Sequence, residues 1–366
     1  MYLIFKSFKK IIYTHLNIMS KKELGQFYTT NYKYILSDIY IPKNVECIIE
    51  PFVGKGDLLK FIDNEGSYNI EIYDIDPKIE GTIEQDTLKI PPNYNNKFII
   101  TNPPFLARNK SEDKSVFELY KTNDLYKCFI TSFVNQNNCI GGILIIPAGF
   151  FFSSRPLDVK CRSEFMKNFK IIKIKYFEET VFEDTPTTIV VFLFEKSDII
   201  LQEQNVEWTL MPLNTKKHFI MKSSNDWIIG GDIYNLPILE NISVRRYVVG
   251  QELKDNEQQL YITLNALDSG TKSNRIGLSY KKDYLYPAKD CSRTYATLRI
   301  IGKTLSEDEQ ISICKEFNEF IEKKRQENWS LFLPQFRESK EYARKRIPFM
   351  LAYHIFLHII YQRSSF

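Results

Sequence analysis

The chain has 366 residues and a formal net charge of +4, from 49 lysines and arginines against 45 aspartates and glutamates. Hydrophobic residues make up 43% of it and charged residues 26%, which is typical of a folded globular protein and excludes collagen-like, coiled-coil and disordered classes. The length predicts about two domains, and no apolar run reaches the roughly 18 residues of a membrane span.

The first 22 residues predict an extension ahead of the first domain. This stretch is basic and weakly amphipathic, and Glu23 is the first acidic residue of the chain. A segment of this kind can act in targeting or lie on a membrane surface. A dispensable extension is the alternative, since Met19 would also begin a reasonable chain, and no function is assigned to the segment.

Short apolar runs alternate with longer mixed segments from residue 45 onward. The runs predict seven strands, at 45–50, 69–74, 81–86, 96–101, 141–150, 170–178 and 187–196. Apolar residues at helical spacing predict helices over 123–136 and 160–170. Such alternation is typical of a parallel α/β sheet. The sequence therefore predicts a seven-stranded Rossmann-like domain over residues 23–199.

The alternation ends near residue 200, so residues 200–366 predict a second domain of mixed α+β type. Ser306 followed by Glu309 has the spacing of a capping box, which predicts a helix over 305–330. The tail over 336–361 also has helical spacing.

A strand-to-helix turn with two glycines follows the first predicted strand. In EPFVGKG (50–56), Gly54 and Gly56 allow the backbone to approach a ligand closely at the start of a helix. Asp74 ends the second strand 20 residues after Gly54, where an acid can bind the hydroxyls of a ribose. Asp86 ends the third strand. Together these residues predict a nucleoside-bearing cofactor, with three ordinary strand-ending acids as the alternative.

The sequence TNPPF (101–105) follows the fourth strand, at the sheet edge where α/β proteins bind ligands. Two prolines fix the backbone and remove N–H donors, which leaves Asn102 Oδ1 and the Pro103 carbonyl as a rigid pair of acceptors. An exocyclic amine has two N–H groups to donate, and Phe105 offers a ring face to a planar base. The motif predicts a site for an attacking amino group, with a proline-rich strand end as the alternative.

The order of these motifs resembles the gamma class of S-adenosylmethionine-dependent DNA adenine N6-methyltransferases. The matching stretches are GQFYTT (25–30), EPFVGKG (50–56), YDIDP (73–77), QDTL (85–88), NPPF (102–105) and TVFEDTPTTIVVFLFEK (180–196). The resemblance covers roughly residues 23–196. Its departures are modest: the first loop has Val-Gly-Lys-Gly, where the family varies freely, and Phe105 stands in place of the commoner Tyr or Trp. It implies the methyltransferase form of the predicted sheet, with a target-recognition domain after it.

The resemblance also implies roles for individual side chains. The cofactor-binding set that it implies is Gln26, Phe27, Tyr28, Thr29, Glu50, Gly54, Gly56, Asp74 and Asp86. The catalytic set that it implies is Asn102, Pro103, Pro104 and Phe105. Phe182 matches the aromatic residue that stacks on the face of the target base opposite Phe105.

The implied reaction is site-specific methyl transfer from S-adenosylmethionine to N6 of an adenine flipped out of double-stranded DNA. No metal and no covalent nucleophile are expected. Two alternatives use the same residues differently. One is an RNA or protein-glutamine N-methyltransferase with the same NPPF site, and the other is a non-catalytic DNA-binding subunit.

Two further segments have open interpretations. The polar stretch 106–121 predicts a mobile loop after the tetrad, or a loop that closes over a flipped base. Basic residues of the second domain suit contacts to phosphates, with an ordinary solvated surface as the alternative. These candidate DNA contacts are Lys272, Arg275, Arg337, Lys340, Arg344, Lys345 and Arg346.

The six cysteines are scattered without CxxC spacing, so reduced thiols are expected rather than a zinc site or a disulfide framework. Reduced cysteines and a DNA substrate predict a cytoplasmic protein, or a nuclear one in a eukaryotic host, and not a secreted one. The expected partner is double-stranded DNA. A cognate restriction endonuclease would fit the family, although the sequence holds no evidence for it.

Overall fold

The computed structural model describes residues 25–65, 68–136, 138–182, 185, 187–268, 275–287, 292–336 and 344–364. The N-terminal extension and the candidate DNA contacts Lys272, Arg337 and Lys340 lie outside these residues. The chain divides into two compact units. One runs to Phe150 and resumes from Ser154 to Ile220, and the other comprises Phe151–Ser153 and the residues from Met221 onward.

A sheet of nine strands forms the centre of the first unit. In chain order they are β1 (Cys47–Glu50), β2 (Asn69–Asp74), β3 (Ile83–Glu84), β4 (Phe98–Thr101), β5 (Gly141–Pro147), β6 (Phe169–Phe177), β7 (Ile189–Lys196), β8 (Glu203–Met211) and β9 (Thr215–Lys222). Their order across the sheet is β3-β2-β1-β4-β5-β7-β6-β8-β9. The pairs from β3 to β5 are parallel, and β7 runs antiparallel between β5 and β6.

The predicted α/β class is confirmed, and all seven predicted strands are present. Helices α1 (Tyr32–Ile35), α2 (Leu59–Glu65), α3 (Ser115–Tyr120), α4 (Leu125–Gln136), α5 (Gly149–Phe152) and α6 (Pro156–Asn168) accompany the sheet. Strands β5 and β7 are buried along almost their whole length, as expected for strands that are covered on both faces. Aromatic rings from α4, α6 and β7 pack together there, including Phe133, Phe165 and Phe194.

The topology brings three strand ends to one edge of the sheet. Strand β1 lies between β2 and β4 and is parallel to both. The carboxyl ends of parallel neighbours meet at the same edge, which is where ligands bind in open α/β sheets. Glu50, Asp74 and Thr101 are the last residues of these strands. The loops that follow them therefore start side by side.

The sheet continues past residue 199, where the sequence placed the end of the first domain. Strand β8 pairs parallel with β6, and β9 follows at the sheet edge. Buried and exposed residues alternate along both strands, which is typical of strands with one solvated face. The exposed face of β9 carries Lys216, His218 and Lys222 beside Ile220, in TKKHFIMK (215–222). Because polar residues alternate with apolar ones, β9 does not stand out in the sequence as an apolar run.

Two local predictions were wrong. The sequence predicts a loop over 106–121, but this stretch contains a short 3₁₀ helix, Arg108–Lys110, and helix α3, whose Val116 and Phe117 are buried. For the helix predicted over 336–361, residues 337–343 lie outside the described residues, Arg344–Lys345 forms a short strand instead, and a helix begins at Phe349. Pro348 precedes that start and cannot donate the N–H that a longer helix would need.

The second unit contains a four-stranded antiparallel sheet. Its strands are β10 (Ser243–Tyr247), β11 (Glu257–Asn265), β12 (Gly277–Tyr280) and β13 (Tyr295–Ile301), in the order β10-β13-β11-β12. Helices α7 (Glu307–Asn328) and α8 (Phe349–Ser364) share its apolar core, and a two-stranded ladder joins β14 (Gln335–Phe336) to β15 (Arg344–Lys345). The predicted capping box is present, because Ser306 Oγ accepts from Glu309 N and Glu309 Oε2 accepts from Ser306 N.

Five cysteines lie in the described part of the chain, and none of them forms a disulfide there. Within the same residues, no helix is both long enough and apolar enough to cross a membrane.

Candidate functional site

A cavity of about 320 Å³ lies at the edge where β1, β2 and β4 end. Four stretches of chain line it: the segment before α1, the glycine turn after β1, the end of β2 with the turn after β3, and the tetrad with the segment after it. Nine residues singled out from the sequence contribute to the lining. They are Gln26, Phe27, Tyr28, Thr29, Gly54, Asp74, Asp86, Asn102 and Pro104. The fold thus brings together residues from five of the motifs singled out in the sequence.

The glycine turn is tied to the second strand by hydrogen bonds. Gly54 has a left-handed φ of 54°, a conformation that glycine adopts without strain. Its N–H donates to Asp74 Oδ2 at 2.8 Å, and Asp76 N donates to Asp74 Oδ1 at 2.9 Å. Gly56 N donates to the Val53 carbonyl at 2.8 Å. Asp74 is therefore held at the cavity wall with its carboxylate fixed in place.

Glu50 lies behind the turn and is only 1% exposed. Its Oε1 accepts from Thr101 Oγ1 and from Phe52 N, whereas Oε2 is shielded from solvent and has no hydrogen-bond partner among the described residues. Burial raises the pKa of this carboxyl to about 8, with the nearby Asp74 carboxylate contributing in the same direction.

Asp86 forms the first residue of a turn after β3. Its Oδ1 accepts from Leu88 N and Lys89 N, both at 3.2 Å. Lys89 Nζ lies 3.9 Å from Asp86 Oδ2 and 3.1 Å from Asp113 Oδ2. Through Lys89, this turn is linked to the segment that follows the tetrad, six of whose residues also line the cavity (residues 110–113, 116 and 117).

The side-chain amide of Asn102 is oriented by two acceptors. Asn102 Nδ2 donates to the Phe27 carbonyl at 2.8 Å and to Thr29 Oγ1 at 3.1 Å. Asn102 Oδ1 is shielded from solvent and accepts no hydrogen bond from the described chain. Since an amide nitrogen has two N–H groups to donate, both are used, and the oxygen remains as the atom able to accept.

Three phenylalanine rings pack together beside the tetrad. The Phe27 ring stacks on Phe105 with centroids 4.7 Å apart and an angle of 20° between the ring planes. The Phe182 ring lies 6.3 Å from each of them. A base held between Phe105 and Phe182 would need roughly 7–8 Å between parallel rings, from two contacts of about 3.5–4 Å. The Phe105 and Phe182 centroids are closer than this, the two ring planes are tilted by 49°, and both rings are buried. In this structure the stacked Phe27 ring covers a face of Phe105 instead.

The cavity has more acidic than basic residues around it. Its acids are Asp57, Asp74, Asp86, Glu112 and Asp113, and its lysines are Lys89 and Lys110. This excess of carboxylates favours a ligand with net positive charge. No group of three or more His, Cys, Asp or Glu residues that could hold a metal ion occurs in the described ranges.

Sequence reasoning missed Asp57 among the residues that line the cavity. Its Oδ1 accepts from Lys60 Nζ at 3.3 Å, and its Oδ2 is buried without a hydrogen-bond partner in the described residues. The sequence feature that could have indicated Asp57 is its place directly after Gly56, in the glycine turn that is expected to approach a ligand. Lys89 and Asp113 carried no signal of their own, because only the folded chain places them at the cavity.

Four of the candidate DNA contacts lie in the described part of the second unit. Arg344 and Lys345 form β15, and Arg346 makes an isolated antiparallel β-bridge with Leu267. A guanidinium nitrogen of Arg275 lies 3.8 Å from a carboxylate oxygen of Glu322 in an exposed ion pair. Asp268 joins this region, because its N–H donates to the Lys345 carbonyl and its carboxylate accepts from Ile276 N and from both terminal nitrogens of Arg325. The four basic residues therefore share one end of this unit.

No protein-family profile matches the chain, and no curated protein matches it. Several solved structures are similar over about half of its length. A chain described as the modification subunit of a type I restriction enzyme from Vibrio vulnificus YJ016 is 16% identical with a TM-score of 0.40, over 58% of this chain and 53% of that one. The type I restriction-modification methyltransferase subunit from Streptococcus thermophilus is 14% identical with a TM-score of 0.37, over 51% and 47%.

The 23S rRNA methyltransferase ErmE is 9% identical with a TM-score of 0.34, over 48% of this chain and 71% of that one. The chain thus spans about half the length of the two restriction-system subunits.

Proposed function

We propose that the chain is an S-adenosylmethionine-dependent methyltransferase that modifies the N6 amino group of adenine in double-stranded DNA. The observation that carries this proposal is the Asn102 amide. Its nitrogen donates hydrogen bonds to two acceptors, and its buried oxygen has no hydrogen-bond partner in the described chain. An acceptor held in this way beside an acid-lined cavity suits the donating N–H of an attacking amine.

The cavity residues fit the expected cofactor. S-adenosylmethionine combines a ribose, an adenine, an α-ammonium group and a sulfonium, so it carries more positive than negative charge. Asp74 lies at the end of β2, where an acid can bind ribose hydroxyls. Asp57 lines the cavity, and its unused Oδ2 is an acceptor of the kind that an ammonium group requires. When bound, the cofactor supplies an electrophilic methyl group.

Residues of the chain would then orient the target amine. Asn102 Oδ1 and the Pro103 carbonyl would each accept one N–H of the amine, which directs the nitrogen lone pair away from both. The proline pair holds the second acceptor rigidly. No covalent nucleophile is needed: the methyl carbon would bond to the amine nitrogen as its bond to sulfur breaks, which leaves S-adenosylhomocysteine, and the surplus proton would pass from the amine to water. Catalysis by this arrangement comes from positioning and from hydrogen bonds.

The base has to leave the DNA stack to reach this edge of the sheet, at a cost of a few kcal/mol. Stacking on an aromatic residue, worth about 1–3 kcal/mol per base, can offset much of that cost. Phe105 is the proposed platform, with Phe182 on the other side of the base. Since the Phe27 ring covers Phe105, we propose that this ring moves when the base enters.

The Asn102→Ala variant tests the proposal. It is assayed by transfer of tritiated methyl groups to unmethylated double-stranded DNA, with RNA and a glutamine-containing peptide as other substrates. We expect a loss of roughly 100-fold or more in turnover, with cofactor binding by calorimetry unchanged. The matched control is Asn95→Ala, an exposed asparagine of the same unit, which should behave as the wild type.

Three outcomes would contradict the proposal. Wild-type turnover in Asn102→Ala would remove the proposed role of the tetrad. Absence of cofactor binding to the wild type would remove the enzyme altogether. Methylation of RNA or peptide with none of DNA would assign the same site to another substrate. Sequencing of DNA from an unmethylated host that expresses the chain would identify both the modified base and its sequence context.

A further inference from the structure

The residues that orient Asn102 come from a distant part of the sequence. Thr29 precedes Asn102 by 73 residues, and only the fold brings them together. Thr29 is 4% exposed, and its hydroxyl oxygen lies 3.1 Å from Asn102 Nδ2. The Phe27 carbonyl accepts the other N–H of the same amide at 2.8 Å. The amide plane is therefore fixed at two points on its nitrogen side.

The two acceptors have different consequences. A backbone carbonyl accepts and never donates, so the Phe27 carbonyl excludes the flipped amide, in which Asn102 Oδ1 would face it. One hydrogen bond alone still allows the amide to swing about that contact. The Thr29 hydroxyl supplies the second point and fixes the plane. A reacting group gains most from such support, because small errors in its position are costly.

We propose that Thr29 is a positioning residue, which holds the Asn102 amide so that Oδ1 accepts from the target amine. This inference rests on the proposed function and adds a role to the one implied by the resemblance, where Thr29 only helps to cover the cofactor. The two roles predict different kinetics. Loss of a cofactor contact raises the dissociation constant of the cofactor. Loss of positioning lowers kcat and leaves that constant unchanged.

Two substitutions separate the hydroxyl from the volume of the side chain. Thr29→Val keeps the shape and removes the hydroxyl, whereas Thr29→Ser keeps the hydroxyl and removes a methyl group. We expect Thr29→Val to lower kcat by roughly 3- to 10-fold, as for the loss of one hydrogen bond, with KM for DNA and cofactor affinity within about twofold of the wild type. Thr29→Ser should retain at least about half of the wild-type kcat.

The matched control is Thr209→Val. Thr209 is 1% exposed in β8, and its hydroxyl has no hydrogen-bond partner among the described residues. The same isosteric change there should leave kcat unchanged. Thermal unfolding of each variant shows whether it is folded.

A second measurement does not depend on activity. The side-chain amide of Asn102 is observed by NMR and assigned by its loss in Asn102→Ala. In the wild type, both Nδ2 protons should exchange slowly with solvent, since both are hydrogen-bonded. In Thr29→Val the exchange of at least one of them should become about tenfold faster or more, and in Thr29→Ser it should stay slow.

The proposal is overturned if Thr29→Val retains wild-type kcat and slow amide exchange. It is also overturned if Thr29→Ser is as impaired as Thr29→Val, or if the loss appears only in cofactor affinity. A wild type that transfers no methyl group to any substrate would instead overturn the proposed function. The amide exchange would still show whether Thr29 holds Asn102.

Discussion

Glu50 shows how burial sets the chemistry of a single residue. Its side chain ends β1 beneath the glycine turn and is almost fully removed from water. Burial disfavours the charged form and raises the pKa to about 8. The hydrogen bonds from Thr101 and Phe52 lower the pKa but do not overcome this effect. The carboxyl is therefore largely protonated at neutral pH while the cavity holds no cation.

We expect Glu50→Gln to change how stability depends on pH. The pKa is about 8 in the folded chain and near 4.5 in the unfolded one. Between these values the folded state binds a proton that the unfolded state does not. The wild type therefore loses stability as pH rises from about 4.5 to 8 and loses no more above that range. Glutamine has no proton to lose, so the variant should gain stability relative to the wild type across the same window.

Urea unfolding at a series of pH values measures this difference. The control is Glu80→Gln, an exposed glutamate of the same unit, which should keep a constant offset from the wild type. If the Glu50→Gln and wild-type stabilities stay parallel from pH 4.5 to 8, burial does not raise the pKa of Glu50 in the way described.

At the scale of elements, the segment over residues 25–29 lies across the tetrad. Phe105 N donates to the Gly25 carbonyl at 3.1 Å, and Asn102 donates to Phe27 and Thr29. Gly25 has a φ of 64°, and a Cβ there would lie 2.8 Å from the Phe105 carbonyl oxygen. The close approach therefore requires glycine. The segment orients Asn102 with its backbone and Thr29, and covers Phe105 with the Phe27 ring.

The Phe27→Ala variant tests whether this ring competes with the target base. Its backbone carbonyl remains available to Asn102, while the stacked face of Phe105 is uncovered. An aromatic pair is worth about 0.5–1.5 kcal/mol beyond its buried area. Without that contact to displace, we expect roughly 2- to 10-fold tighter DNA binding. Fluorescence anisotropy with labelled duplex DNA and S-adenosylhomocysteine measures the affinity.

Tyr40→Ala provides the control, since Tyr40 is an exposed aromatic residue of the same unit, and its affinity for DNA should match the wild type. Unchanged or weaker DNA binding by Phe27→Ala would show that the base does not displace the Phe27 ring.

At the scale of the whole molecule, the two units have different chemistry. The acid-lined cavity belongs to the first unit, and four of the candidate phosphate contacts share one end of the second. We propose that the second unit binds the DNA. Affinity for phosphates depends on released counterions, so the logarithm of the binding constant should fall linearly with the logarithm of salt concentration.

Arg275→Ala tests a single phosphate contact. Arg275 is exposed and only loosely paired with Glu322. If it contacts a phosphate, the variant should bind all DNA sequences more weakly by a similar factor, and the salt slope should fall by about one. Lys315→Ala is the control, because Lys315 is exposed on α7 with only a marginal ion pair to Glu319. A salt slope equal to that of the wild type would exclude Arg275 from the DNA interface.

Local sequence patterns were sufficient to predict much of this architecture. The apolar run GGILIIP (141–147) forms a buried strand, and Ser306 with Glu309 caps a helix through contacts three residues apart. The patterns failed where charge or proline interrupted them. Strand β9 carries lysines on its solvated face, and the tail helix starts only after Pro348.

The sequence by itself determined which chemical groups reach the sheet edge, because the acids and the Asn-Pro-Pro-Phe tetrad directly follow strands whose parallel pairing aligns their ends. Only the tertiary structure decided how those groups are held. The contacts from Asn102 to Thr29, from Phe27 to Phe105 and from Lys89 to Asp113 join residues 24 to 78 positions apart. Such contacts depend on where the chain returns in space, and no spacing within a motif encodes that.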